Sequence, residues 1–144
     1  MNLRFRRMEP GDVAQITRLE RAIFNDAWPA ESFMAEIENT RVSYPVVMEE
    51  NGDVAGYAVV WRIADEVQIN NMAVVPEQRG KGYGSALLAH IFETMEPFNV
   101  AWLEVRVSNR AAIRLYEKFN FKTRYLRKAY YSDGEDALIM ERRN

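Results

Sequence analysis

The stretch "NNMAVVPEQRGKGYGSALLAHIFETM", residues 70–95, decides how this chain folds. Its first part, Asn70–Val75, is a β-branched run that stops at Pro76. Its last part places Gly84, Leu87, Leu88, Ile91, Phe92 and Met95 along one helical stripe. Between them Arg79–Ser85, "RGKGYGS", is a strand-to-helix junction with three alternate glycines. At such a junction the first helical N–H groups lack an intrahelical acceptor and the positive end of the helix dipole faces outward, so backbone can hold an anion. Glycine lets that backbone approach a pyrophosphate, and Arg79 or Lys81 can add charge. Two common phosphate loops do not fit: the dinucleotide fingerprint needs glycine where Ser85 stands, and the Walker loop needs Ser or Thr after its lysine, where Gly82 follows Lys81. By itself the loop reads equally well as a flexible turn with solvated basic residues.

Outward from this junction the chain alternates strand and helix. Leu3–Arg7 reads as a short first strand. Asp12 can cap a helix whose apolar face is Val13, Ile16, Leu19 and Ile23. A loop with Trp28 and Pro29 leads to a second short helix carrying Phe33, Met34 and Ile37. "SYPVVMEE" and "VAGYAVVWRI" flank Asn51-Gly52, a hairpin signal because both residues tolerate positive φ. "EVQINNMAVV" is a third central strand, and "VAWLEVRV" returns to strand after the long helix. A helix "RAAIRLYEKF" follows Ser108 and Asn109, either of which can cap it, and the strands "KTRYLRKAYY" and "DALIMER" close the chain. With no repeats or linker, residues 1–144 are expected to form one α/β domain with a mixed sheet.

Composition narrows the function. An apolar fraction of 48% and a charged fraction of 28% are those of an ordinary globular protein, and no apolar run approaches the length of a membrane span. The N-terminal "MNLRFRRMEPGD" lacks the apolar core of a signal peptide, so a cytoplasmic location is expected. Nineteen basic against twenty-one acidic residues do not suggest nucleic-acid binding. With no cysteine and one histidine, disulfides, thiolate metal sites and an acyl-cysteine intermediate are excluded, and no metal is expected. The histidine, His90, lies beside the apolar stripe of its helix and reads as a surface residue without a catalytic part.

These residues resemble the GCN5-related N-acetyltransferase (GNAT) family. "RGKGYGSALL" matches its [RQ]-x-x-G-x-[GA] acetyl-coenzyme A loop. "LEVRVSNRAAIRLYEKFNF" and "RKAYY…EDALIM" are similar to the branch that acetylates the N-terminal alanine of ribosomal proteins, and the likeness runs from Trp28 to Met140. The resemblance implies a three-layer α/β (α+β) fold, a mixed, mostly antiparallel sheet of about seven strands with helices on both faces. Two positions depart from the pattern. Asn120 stands where the family usually has glycine, and asparagine is the next residue most tolerant of a left-handed helix end. Pro29 follows Trp28 in the loop that shapes the substrate entrance of the family.

The resemblance also implies site residues. Acetyl-CoA is the expected cosubstrate, held by Arg79, Gly80, Lys81, Gly82, Tyr83, Gly84 and Ser85, by the backbones of Met72, Ala73 and Val74 on a splayed strand, and by Asn109. Glu104 is the implied general base; strand alternation puts it on the face of Trp102 and Arg106, and spacing alone would read it as a surface partner of Arg106. Tyr116 is the implied general acid, although a core tyrosine is an adequate alternative for an aromatic on the apolar side of its helix. Trp28, Glu31, Tyr130 and Tyr131 are candidates for a peptide groove. The expected partner is a protein N-terminus, that of a ribosomal protein first, with the enzyme a monomer. A lysine or small-amine acetyltransferase, or a coenzyme A sensor without turnover, remain the alternatives.

Overall fold

The computed structural model describes residues 2–144. In chain order the elements are β1 (Leu3–Arg7), α1 (Val13–Ile23), α2 (Ala30–Glu38), β2 (Ser43–Glu50), β3 (Asp53–Ile63), β4 (Glu66–Val74), α3 (Tyr83–Met95), β5 (Val100–Arg106), α4 (Arg110–Lys118), β6 (Lys122–Arg127) and β7 (Ala137–Arg143). All seven strands join one sheet in the order β1-β2-β3-β4-β5-β7-β6. Neighbours are antiparallel except β4 and β5, which run parallel on either side of the α3 crossover. The Asn51-Gly52 hairpin forms as expected, with φ of 53° and 87°.

Helices cover both faces, as strand alternation requires of a sheet buried on two sides. On one face α3 packs Leu87, Leu88, Ile91 and Phe92 against Val46, Val60, Val67, Ile69 and Leu103, and α4 adds Tyr116. On the other, Val13 and Ile16 of α1 and Phe33 of α2 pack on Val47, Tyr57, Val59 and Ala73.

The feature that positions the site is where β4 leaves β5. The two strands pair from Glu66 opposite Val100 to Ile69 opposite Leu103 and no further. At that point the β3–β4 register jumps from Val60 opposite Ile69 to Val59 opposite Asn71, so Asn70 is an extra residue, a β-bulge. A bulge bends its strand and increases its twist. β5 keeps its straight course beside β7 as far as Arg106 opposite Ala137. A wedge therefore opens between 70–74 and Glu104–Arg106.

Three local expectations need correction. The strand that starts at Lys122 ends at Arg127, not at Tyr131. Beyond it Ala129 has φ 49°, its N–H donates to the Asp136 carboxylate (2.8 Å), and the chain closes a turn in which Gly134 N–H donates to Tyr131 O (2.9 Å). Tyr130 and Tyr131 thus lie in a loop. Asp12 makes no side-chain cap to α1: its carboxylate accepts from Glu9 N–H (2.7 Å) and both terminal nitrogens of Arg6 (2.8 Å each), which holds it below the usual carboxylate range. His90 is half-buried, stacked on Phe5 at 4.2 Å and hydrogen-bonded to the Tyr44 hydroxyl at 2.8 Å.

Candidate active site

The glycine loop joins β4 to α3 at the wide end of the wedge. Gly80 and Gly82 have φ of 80° and 81°, which L side chains rarely adopt, and Gly82 is the N-cap of α3. A Cβ at Gly80 would meet nothing within 4 Å, so conformation rather than crowding asks for glycine there, and the backbone lies open to a close approach. The first helical bond, Ala86 N–H to Gly82 O (3.1 Å), leaves the N–H groups of Tyr83, Gly84 and Ser85 ahead of it without intrahelical acceptors. Arg79 and Lys81 are exposed, and among the described residues their bonds are local, to Val74 O (3.3 Å) and Gln78 Oε1 (3.2 Å). The Tyr83 ring is buried and its hydroxyl donates to Glu50, so Tyr83 offers this loop its backbone alone. Across the wedge Asn109 caps α4, its Oδ1 accepting from Ala112 N–H (3.2 Å), which leaves its amide N–H groups uncommitted to the cap. Met72, Ala73 and Val74 pair with Ala58, Tyr57 and Gly56 on one edge, while their other edge faces the gap that β5 has left.

Glu104 and Tyr116 lie on opposite faces of the sheet. Leu103 and Val105 point into the α3 core, so alternation turns Glu104 to the α1 and α2 face, half-buried. Its pairing with Arg106 does not form. Arg106 is taken by Asp26 (3.3 Å), Asp133 (2.8 Å) and Glu135 (2.8 Å) instead. Tyr116 stands in the α3 core, its ring edge-on to Phe121 at 5.8 Å. Its helix ends in a Schellman motif: Phe121 N–H donates to Tyr116 O and Asn120 N–H to Glu117 O (3.0 Å each), with Asn120 at φ 69°. Asparagine thus does the work expected of glycine. Burial, then the neighbouring Tyr131 phenol, pushes Tyr116 up to about 12.

The two tyrosines of the β6–β7 loop lie on the Glu104 side. Interaction with the Glu104 carboxylate, then burial, raises the Tyr130 phenol, and burial with the fields of Glu104 and Asp26 pushes Tyr131 up to about 12 against the opposing Arg106. Both phenols therefore keep their protons at neutral pH and can donate hydrogen bonds. Tyr130 is 44% exposed. The Arg106 guanidinium lies 4.0 Å from the Tyr131 ring centroid, and the same guanidinium ties Asp26 of the α1–α2 loop to Asp133 and Glu135 of the β6–β7 loop. The two loops that flank Glu104 are thus strapped together by one side chain. Trp28 and Glu31 are placed differently. They line a cavity of about 380 Å³ with Thr17, Arg21 and Pro29, and neither Glu104 nor Tyr116 borders it.

Sequence reasoning missed Asp26, Arg106, Asp133 and Glu135, all loop or strand-end residues whose meeting depends on long-range geometry. It also missed Glu20, 1% exposed, which accepts from the Tyr57 hydroxyl (2.8 Å), Asn71 Nδ2 (3.1 and 3.0 Å) and Trp28 N–H (3.1 Å). A signal existed: Glu20 falls four residues after Ile16 on the apolar stripe of α1, where a solvated carboxylate has no place.

Comparison with known proteins identifies the family. The Acetyltransferase (GNAT) family profile matches residues 13–121. A protein of Bacillus subtilis (strain 168), named provisionally as a [ribosomal protein bS18]-alanine N-acetyltransferase, is 38% identical over 138 residues, 94% of this chain and 91% of that protein. The [Ribosomal protein bS18]-alanine N-acetyltransferase of Escherichia coli (strain K12) is 35% identical over 138 residues, 92% of each chain. The crystal structure of the ribosomal-protein-S18-alanine N-acetyltransferase from Escherichia coli superposes with a TM-score of 0.89 at 32% identity, covering 98% of this chain and 93% of the other. With more than half of its length in the family profile and relatives above 30% identity along nearly all of it, this chain belongs to the acetyltransferase (GNAT) family.

Proposed function

We propose that residues 1–144 act as one domain that moves the acetyl group of acetyl-CoA directly to a protein N-terminal α-amine, that of alanine on a small-subunit ribosomal protein first. The observation that carries this reading is the wedge between β4 and β5, with the α3 loop and Tyr116 on one face of the sheet and Glu104 and the paired tyrosines on the other. Acetyl-CoA supplies an activated thioester. The N–H groups of 83–85, with Arg79 and Lys81, hold its pyrophosphate, while Asn109 and the free backbone edge of Met72–Val74 hold the pantetheine arm and the thioester carbonyl. Glu104 takes a proton from the α-ammonium, directly or through a water, and Tyr116 gives its proton to the departing thiolate. The chain has no cysteine, so no acetyl-cysteine forms and transfer is direct.

An α-amine is the easier acceptor. Its ordinary pKa of about 7.7–8.0 against about 10.4 for lysine means that roughly 3 kcal/mol less is needed to expose the nucleophilic lone pair. Tyr130 and Tyr131, beside Glu104, line the path of the first peptide residues. Trp28, in the α1–α2 loop, and Glu31, in the first turn of α2, line the neighbouring cavity and serve the peptide farther from Glu104. The names of the bS18-modifying relatives support alanine at the first position.

Thiol release from acetyl-CoA tests the reading with two peptides of identical sequence, both starting with alanine and carrying internal lysines, one of them blocked at its N-terminus. Release with the free peptide alone is the expected outcome. Release with both would make the enzyme a lysine acetyltransferase, and release with neither would leave small amines or a sensor.

A further inference from the structure

Through Asp26 the α1–α2 loop reaches Arg106 beside Tyr131, yet it has no helix or strand of its own between Phe24 and Pro29. Besides the Arg106–Asp26 pair, what holds it is a buried carboxylate. Glu20 projects from α1 into the sheet, 1% exposed, and receives donors from three other parts of the fold. Its Oε1 accepts from the Tyr57 hydroxyl of β3 at 2.8 Å. Asn71 of β4, the residue after the bulge, gives its amide nitrogen to both oxygens at 3.1 and 3.0 Å. Oε2 accepts from the backbone N–H of Trp28 at 3.1 Å. Tyr57 is buried completely and Asn71 is 9% exposed, so the carboxylate is clamped on the sheet side by two rigid groups. Its remaining acceptor points at the loop.

A stability device would not need this arrangement. A buried carboxylate is a poor way to gain stability, because desolvation opposes its hydrogen bonds, and an apolar residue of equal volume often serves as well. We propose that Glu20 is a positioning residue for the peptide substrate: it sets the path of the α1–α2 loop through the Trp28 N–H and refers that path to the strand whose bulge opens the wedge. The proposal rests on the reading of this loop as one wall of the peptide entrance. Through Glu20 that wall is registered on β4, the strand that carries the thioester-facing backbone. Glu20 touches no reacting atom.

The glutamine variant separates position from charge. In Glu20→Gln the carbonyl oxygen can still accept from Trp28 N–H, while its amide donates to Tyr57, whose hydroxyl can turn to accept. Glu20→Leu keeps the volume and accepts nothing. The test compares both with the wild type in steady-state kinetics for an alanine-initiated peptide and for acetyl-CoA, and in hydrogen exchange of the Trp28 amide. Glu20→Leu is expected to raise the peptide KM about tenfold, with kcat and the acetyl-CoA KM within about threefold, and to speed exchange at Trp28 about tenfold or more. Glu20→Gln is expected to restore both readouts to within about threefold of wild type.

Faster exchange at Trp28 with an unmoved peptide KM would overturn the proposal, as would both KM values rising together. Should the leucine variant not fold, Glu20→Asp, one methylene shorter, withdraws the carboxylate from Trp28 and carries the same expectation. Tyr57→Phe is the control: it removes a support of the carboxylate but leaves the Trp28 bond, so it should lower Tm and leave the peptide KM unchanged. A peptide KM that rises in Tyr57→Phe as far as in Glu20→Leu would assign the effect to general loosening of the core and overturn the proposal. Wild-type enzyme with no peptide turnover sinks the functional reading and the proposal with it; wild-type turnover with an unmoved leucine variant sinks the proposal alone.

Discussion

The loop Arg79–Gly84 and the mouth made by residues 24–29 and 128–136, which we propose serve the same wedge, are made of different material. The first is backbone: two glycines at positive φ, a helix N-terminus and exposed side chains with local bonds. The second is side chain: Arg106 binds three carboxylates from two loops, Glu20 holds Trp28, and two tyrosines crowd Glu104. In the proposed reading the backbone site recognises what every acetyl-CoA molecule has in common. A side-chain site can be redrawn by single substitutions, which is what a choice among substrates requires.

Substitutions at the centre of the wedge should stop chemistry and leave both sites intact. Glu104→Gln is expected to lower kcat about 10²- to 10⁴-fold, the range for a lost general base, with unchanged acetyl-CoA binding by calorimetry. Tyr116→Phe should lower kcat about 10- to 100-fold in stopped thiol assays, with Tm held or raised because a buried hydroxyl is removed. Unchanged kcat in either would remove that residue from the mechanism.

The contrast between the two sites is sharpened by a crossed pair of variants. Gly82→Ala forces a side chain into φ 81°, a cost of about 1–2 kcal/mol, and should weaken acetyl-CoA binding about tenfold while leaving the peptide KM alone. Arg106→Ala releases the two mouth loops and should raise the peptide KM about tenfold while leaving acetyl-CoA binding alone. Either variant moving both substrates would mean that the two sites are not separable in this way. Gly11, with no neighbour within 4 Å of its would-be Cβ, is the neutral alanine control for the first.

The smallest effect concerns pH. Burial raises Tyr116 and Tyr131 from about 10 to about 12, so the stability they contribute is complete below about pH 10, where the unfolded chain is still protonated, and is lost as pH rises through about 12. Denaturant midpoints should therefore be flat with respect to these phenols from pH 8 to 10 and fall above that. Tyr131→Phe should shallow the fall, and an unaltered slope would contradict the burial of that phenol.

Much of this was legible in the sequence, and the two sites show why. The strand, the helix and the glycines between them are local features, so β4, α3 and their junction read correctly from residues 70–95. Asn120 could be read as a left-handed helix end for the same reason. Glu104 could be placed on its face by alternation, but its freedom from Arg106 could not, since that depends on Asp26, Asp133 and Glu135 arriving from 80 residues before and 27 and 29 residues after. β6 reads too long in the sequence because "RKAYY" continues a β-rich pattern, whereas the Asp136 carboxylate reaching back to Ala129 and the Tyr131–Gly134 turn make it a loop.

The most direct test of the central claim is a crystal structure with coenzyme A joined through an acetyl bridge to the N-terminus of an alanine-initiated peptide. The expected result puts the sulfur within about 3.5 Å of the Tyr116 hydroxyl, on the α3 side of the wedge, and the peptide nitrogen on the other side, within reach of Glu104 directly or through one water. A peptide nitrogen that emerges away from Glu104, with Tyr116 packed out of contact with sulfur, would contradict the account.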